Sequence, residues 1–404
     1  MFGSTPWELI NIILLVFLIF FFPRLMTYQI ITLLESKAKA YDEMVVKSQR
    51  MIVKKIGLRT KLTRKEMDDS IKGMLEYFVV EPEAIEPTGL ANKIRQMTNR
   101  HDKKLDIYIE EITSGVSEEE RKNLSASMMH TIGIHQISKI IKHFIEIIRE
   151  TKNFQYGMLL QIQLPFIDRQ VKALYKSIPA FTNGIPVGDC IGPLYAATLI
   201  GDNKTTKIAE GTVVATRTIN GKEVFILKAE GPAANLGNID EAIRKIVAKN
   251  KIEKVITVDA SGKLEGETTG AVARGVGFAM GPRGAERFFA ESYLIEKGIP
   301  VDAVIVKMKP EEALMPMPKE VKLALPKVDL AVKQELKEVK KRAIIAGIGV
   351  TIGVGNSRKA AEEAIRVIDA FNRREEQKKK AEKKGLRERV FGRKEKKEEK
   401  TKEE

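Results

Sequence analysis

The sequence predicts an α plus α/β chain: a single transmembrane helix, a helical region, an α/β sandwich around a mixed sheet, and a charged tail. Three observations predict it. Leu9–Phe22 reads LINIILLVFLIFFF, apolar except for Asn11. From about Thr63 to Ile178, apolar residues recur at three- and four-residue spacing. From Pro179 onward, glycine and β-branched residues rise, and apolar runs of strand length alternate with helical stripes. The 404 residues leave room for two or three folded units, and 43% apolar with 30% charged residues allows sizeable cores.

Residues 1–26 are read as a membrane anchor. The uncharged stretch between Glu8 and Arg24 covers about 22 Å of helix, against a hydrocarbon core of ~30 Å. Phe2–Trp7, Leu25–Met26 and the snorkelling Arg24 supply the rest. A cleaved signal peptide fits poorly, because no basic segment precedes the run and no small-residue cleavage site follows it. Phe20, Phe21 and Phe22 point to all faces, which argues against a buried soluble helix. The basic residues follow the run, so the N-terminus is expected outside and the bulk of the chain in the cytoplasm, at the cell membrane.

Residues 27–62 form a basic juxtamembrane helix or stalk. The net charge of +15 is concentrated: residues 24–65 hold eleven Lys/Arg against three Asp/Glu, and residues 373–404 hold fifteen against nine. Leu34, Ala38, Tyr41, Val45, Ser48 and Ile52 alternate spacings of four and three. Two readings stand side by side: a helical stalk with an a/d seam, or an amphipathic helix lying on anionic lipid. The partners expected are an anionic membrane surface and a protein partner or second copy. The middle of the chain is near neutral, so no nucleic acid is expected in the core, only tail contact.

In the helical domain, 63–178, Thr63-Arg-Lys-Glu66 is a capping-box start followed by Met67, Ile71, Met74, Leu75 and Phe78. Leu90–Arg100, Lys104–Thr113, Glu118–Arg149 and Met158–Ser177 read as further helices. His130, His135 and His143 share one of them but not one face, so no metal site is expected there. In the α/β domain, 179–372, strands are expected at Ile208–Ile219, Val224–Ala229, Lys254–Val258, Val301–Met308 and Ala343–Ile352. Asn220-Gly221 marks a hairpin. Helices are expected at Ile239–Lys249, Gly284–Glu296, Leu330–Lys341 and Ser357–Phe371. The tail, 373–404, is almost wholly Lys, Arg and Glu.

Ligands of open α/β sheets bind beyond the carboxyl ends of the strands. Glycine-rich turns at Glu230–Gly237, Gly275–Gly284 and Gly347–Gly355 stand before helices there, which makes Gly188, Gly192, Gly275, Gly277, Gly281, Arg283, Gly353, Gly355 and Asn356 candidate ligand-binding residues. None is a P-loop or a dinucleotide fingerprint, so no cofactor is indicated. Asp259 closes the strand Lys-Val-Ile-Thr-Val-Asp, and Asp189 sits in the turn Gly188-Asp-Cys-Ile-Gly-Pro193. Both are expected at one sheet edge, where paired carboxyls do acid–base chemistry. Cys190 reads as a structural thiol. Arg274, Glu265 and Glu267 read as surface residues.

The Gly188-Asp189-x-x-Gly192-Pro193 turn, with a strand ending Val258-Asp259-Ala260, resembles the germination protease of spore-forming bacteria and the hydrogenase maturation endopeptidases. That resemblance implies an α/β sandwich and catalytic roles for Asp189 and Asp259. It does not carry the metal of the hydrogenase enzymes, since Leu194–Thr198 has no glutamate and this half of the chain no histidine. The whole chain resembles an uncharacterised archaeal family of membrane-anchored proteins. The expectation is a membrane-tethered, peptidase-like hydrolase. The alternative is a non-catalytic ligand-sensing or scaffold protein.

Overall fold

A computed structural model describes residues 6–57, 60–77, 87–279 and 284–403. The chain divides into two compact units, residues 1–184 and 185–404.

The first unit is helical. Helix α1 (Pro6–Val16) passes through a π-helical turn at Phe17–Phe21 into α2 (Phe22–Ile56), so one unbroken helix runs from the apolar segment to Ile56. Every large apolar side chain from Ile10 to Phe22 is 44–66% exposed. Further along, Leu34, Ala38, Tyr41, Val45, Ser48 and Ile52 are all buried. They pack against α5 (Glu118–Thr151) and α6 (Phe154–Thr182), joined in the same core by α3 (Arg64–Leu75) and α4 (Pro87–Ile112). The a/d seam is therefore packed inside a bundle.

Polar contacts fix the register of this bundle. Ser138 on α5 donates to Asp42 at 2.7 Å, Lys142 donates to the same carboxylate at 2.6 Å, and Lys37 and Tyr41 donate to Asp168 on α6 at 3.1 and 3.2 Å. The expected capping box is formed: Glu66 N–H donates to Thr63 Oγ1 and Thr63 N–H to Glu66 Oε2. Helix α6 is longer than the sequence suggests, running through Pro165 and Pro179. Its last turn is held by Thr182 and Asn183, whose side chains donate to the Pro179 carbonyl. The histidines have separate partners: His130 meets Ser177 at 2.6 Å, and His135 meets Glu76 at 2.8 Å. Burial pushes His130 down to about 4.

The second unit is a seven-stranded mixed sheet in the order β1-β2-β3-β7-β4-β6-β5. The strands are β1 (Thr206–Ala209), β2 (Thr212–Ile219), β3 (Lys222–Ala229), β4 (Lys254–Gly262), β5 (Ala271–Val276), β6 (Val301–Met308) and β7 (Arg342–Gly347). The central four, β3, β7, β4 and β6, run parallel; β1, β2 and β5 are antiparallel to their neighbours. Helices α8 (Ile239–Lys249) and α9 (Gly284–Glu296) cover one face through Leu227, Val255, Ile344 and Ala346. Helices α7 (Ile191–Ile200) and α12 (Leu325–Glu335) pack on the sheet elsewhere, and α13 (Arg358–Glu403) packs on α7. The short helices α10 (Pro310–Leu314) and α11 (Lys319–Lys322) carry the proline-marked crossing segment.

Four strand expectations change. Strand β4 does not close at Asp259 but runs on to Gly262, and β7 ends at Gly347, five residues short of Ile352. Ile208–Ile219 is two strands, because Glu210–Gly211 turns the chain back with Gly211 at φ +61°. The segment before Gly277 is an edge strand, β5, that its mixed sequence Ala-Val-Ala-Arg-Gly-Val does not announce; pairing with β6 makes it.

Candidate active site

Asp259 follows Val258 in β4, one residue past the last pair with β7, and β7 lies between β4 and β3 in the register Val258–Gly347–Lys228. Gly347 has no side chain, and the first turn of α7 fills the space. A Cβ on Gly192 would stand 2.2 Å from the Ile348 carbonyl oxygen and 2.3 Å from that of Val258. Glycine is required there because the helix backbone rests on the strand ends. The same approach brings Asp189, two residues before α7, to the edge where Asp259 emerges.

The two carboxyls differ in cover. Asp259 is 2% exposed and accepts the Ala260 N–H at 2.7 Å. Asp189 keeps part of its surface in solvent and accepts the Val350 N–H at 2.8 Å. Gly349, at φ +127°, lets the β7–α13 loop pass over it; a Cβ there would stand 2.1 Å from the Asp189 carbonyl oxygen. Burial raises the Asp189 carboxyl to about 6, against the pull of the Val350 hydrogen bond. Burial first, then the Asp189 charge, raise Asp259 well above its ordinary value; the Ala260 hydrogen bond and then Arg287 only partly offset this. Both shifts favour the protonated form, and the Asp189 charge makes Asp259 the one that holds its proton more firmly.

A lysine that the sequence reading missed stands on the same edge. Lys228 is fully buried and donates to Asn356 Oδ1 at 2.7 Å and to the Ala229 carbonyl at 2.8 Å. Burial pushes its amine down to about 7, with Cys190 and Glu230 acting the other way. Its signal was one charge inside the apolar run Val-Phe-Ile-Leu-Lys-Ala. Between Lys228 and Asp189 lies Cys190, buried, its thiol donating to the Ile352 carbonyl at 3.5 Å. Burial, reinforced by the Asp189 charge, raises the thiol, so it stays protonated.

The predicted glycine turns fall in three places. Glu230–Gly237 and Gly347–Gly355 meet at the carboxyl edge and hold each other. Thr351 N–H donates to the Asn235 carbonyl, Gly353 N–H donates to the Pro232 carbonyl, and both ends of the Asn356 amide bond Gly231. Gly353 and Asn356 thus tie loop to loop, and Gly355 gives Ala360 room. In the Gly188–Gly192 turn, Gly188 and Cys190 N–H already donate to Met315 and Val187. Gly275 and Gly277 lie at the opposite edge, beside the start of β6, because antiparallel β5 reverses the chain. Gly281 and Arg283 lie outside the described residues. Arg274 pairs with Glu335, and Glu267 with Lys307.

Among the described residues, Asp302, Glu335 and Glu338 form a close-set acidic group. It surrounds the Lys254 ammonium, which bonds all three carboxylates, Glu335 at 2.8 Å and Glu338 at 2.6 Å. Burial opposes the charge of Lys254, but these hydrogen bonds raise its amine. The acids' charge is met by the lysine.

The fold defines a two-unit protein, a helical bundle led by a long apolar helix and an α/β unit with a seven-stranded mixed sheet. The chain belongs to the DUF1512 family: residues 8–184 match the protein of unknown function (DUF1512) N-terminal domain, and residues 187–355 match the domain of unknown function (DUF1512) C-terminal. No curated protein matches. Among solved structures, a Mycobacterium tuberculosis proteasome-assembly chaperone homologue is similar at 14% identity and a TM-score of 0.26, over 38% of this chain and 91% of that one. A Corynebacterium glutamicum protein of unknown function is similar at 14% identity and a TM-score of 0.20, over 44% of this chain and 74% of that one.

Proposed function

We propose that the chain is a membrane-tethered hydrolase in which Asp259 is the general acid and Asp189 the general base. The α/β unit works on the cytoplasmic side, and amide bonds are the substrate class. The observation that carries this reading is that buried Asp259 on β4 feels the charge of the less covered Asp189 before α7. Asp189 takes a proton from water as its oxygen bonds to the substrate carbonyl carbon. Asp259 gives its proton to the carbonyl oxygen. On collapse the carbon–nitrogen bond breaks, and the proton on Asp189 leaves with the amine. The proton on the hydroxyl of the intermediate returns to Asp259, so the pair ends as it began.

The exposed apolar run from Ile10 to Phe22 supports the anchor, since a water-facing apolar helix of that length is costly. Arg24 leaves the span at the level of anionic head groups. The unbroken helix carries Lys37 about 20 Å and Lys55 about 46 Å beyond Arg24. At a screening length of ~10 Å, lipid contact therefore falls on Arg24 and its neighbours, not on the whole basic segment.

The test is a peptide-library cleavage screen of the detergent-solubilised full chain, with Asp189→Asn and Asp259→Asn alongside. Cleavage by the wild type, lost in both variants and falling below about pH 6 as Asp189 protonates, is the expected result. Wild-type cleavage in either variant removes the mechanism. No cleavage by the wild type favours the ligand-sensing reading.

A further inference from the structure

A second concave site lies in the α/β unit, away from the acidic pair. A groove of about 560 Å³ opens between the β2–β3 hairpin, α7, α12 and the start of α13, within the size range of small-molecule sites. The Asn220 turn is on its rim, at the end of the sheet where β3 begins. Lys228 and Asp259 stand at the other end.

The charges in this groove are uneven. Arg217 and Arg358 each bring a guanidinium nitrogen to 3.5 Å from where a Gly201 Cβ would stand, so twice that, about 7 Å, is the most that separates the two nitrogens. Among the described residues Arg217 donates once, to the Leu199 carbonyl at 2.8 Å. Among the described residues no carboxylate lies within ion-pair distance of either arginine. The acid of the groove, Asp329, is taken: Lys333 pairs with it at 2.6 Å and Tyr195 donates to it at 3.2 Å. Two guanidiniums held together beside a cavity, with most of their N–H donors unspent, repel each other until an anion joins them. Planar forks of this kind match phosphate oxygens in pairs. Next to them the lining turns apolar at Leu325, Pro326 and Ile365.

We propose that this groove binds a small phosphomonoester, its phosphate on Arg217 and Arg358 and its apolar or aromatic body on Leu325, Pro326 and Ile365. The site is independent of the Asp189/Asp259 reading and stands if that reading falls.

The test uses the full chain in an uncharged detergent, with phenyl phosphate as the probe and inorganic phosphate and benzyl alcohol as its two halves. Ligand-observed NMR titration reads the dissociation constants. Saturable binding of phenyl phosphate, weakened at least tenfold in Arg217→Gln/Arg358→Gln, is expected, with each half binding more weakly than the whole. Arg358→Gln alone, at an exposed residue, guards against loss of fold and should weaken binding severalfold. Lys249→Gln/Lys251→Gln removes the same charge from an exposed surface on α8 and the turn after it, and should leave binding unchanged. No saturable binding by the wild type, or an equal loss in the lysine variant, overturns the proposal.

Discussion

Replacing Lys228 with methionine should alter how the stability of the α/β unit depends on pH. In the folded chain the amine is held at about 7, against 10.5 when free, because it is buried. Between those values the unfolded chain binds the proton that the folded chain has released, so stability rises with pH across this window. The difference of about 3.5 units corresponds to about 5 kcal/mol in full, and the interval from pH 7, where the folded amine is half protonated, to pH 9 to about 2 kcal/mol. Lys228→Met removes the titration and keeps the volume. The Asn356 carbonyl oxygen it loses as a partner still accepts from Gly231 N–H at 3.0 Å. Exchanging a buried charge for an apolar side chain is often neutral or stabilising. Hydrogen exchange of β3 and β7 amides in the detergent-solubilised full chain, corrected for intrinsic rates, reads the opening free energy. The wild type should gain about 2 kcal/mol on Lys228→Met from pH 7 to 9. Parallel curves for the two proteins would show that the ammonium is not held neutral, and the assignment would fall.

Asp189→Asn should act in the opposite window. The folded carboxyl is raised from 3.8 to about 6, so the folded chain binds the extra proton there and stability falls as pH rises through it. The variant should be more protected than the wild type at pH 7, by up to about 3 kcal/mol, and no more so near pH 4; equal protection at pH 7 refutes the burial argument. Gly192→Ala places a methyl 2.2 Å from the Ile348 oxygen, whereas Gly262→Ala meets nothing within 4 Å. The first should lose about 3 kcal/mol or fail to fold and the second stay near wild type, as read by soluble yield and exchange; the reverse order would overturn the docking of α7. Protease added to right-side-out spheroplasts should leave residues 40–404 intact, and digestion of the α/β unit there would reverse the proposed orientation.

The alternation of apolar residues was legible wherever one periodicity ruled. The α2 seam from Leu34 to Ile52 reads at heptad spacing and is buried residue for residue, and β3, β4 and β6 read as apolar runs because both of their faces are covered. What could not be read was anything set by pairing alone. β5 carries Arg274 and Gly275 and has no periodicity of its own; β6 makes it a strand. Its direction then decides where the glycines after it go. Reading a glycine turn before a helix as a ligand-binding end assumes that the strand before it is parallel to its neighbours. That holds for β7 and fails for β5, so Gly275 and Gly277 fall at the far edge.

The same limit explains why the edge was half legible. Asp189 and Asp259 announce themselves as lone acids in apolar sequence, Asp189 just before α7 and Asp259 within β4. Lys228 sits one residue before the end of β3, where a lysine would ordinarily mark the chain turning back to water. It is buried because β7, inserted between β3 and β4 from more than a hundred residues away, brings its own loop over the strand ends. Gly347 and Gly192 allow α7 to close from the other side, and Asn356 arrives with the β7 loop to accept the proton-bearing amine. No local pattern encodes that meeting. The charge state of the edge follows from it: a lysine held at about 7 and an aspartate at about 6 titrate within one pH unit of each other. A shift from pH 7.5 to 5.5 therefore turns an edge with a mostly neutral amine and an ionised Asp189 into one with a charged amine and a mostly protonated Asp189. Hydrolysis by the pair should fall over this interval through Asp189 alone, with the same profile in Lys228→Met, because the charges that reach Lys228 are those of Cys190 and Glu230 and neither aspartate feels the lysine. A profile shifted by that substitution would show that the lysine reaches the acids electrostatically.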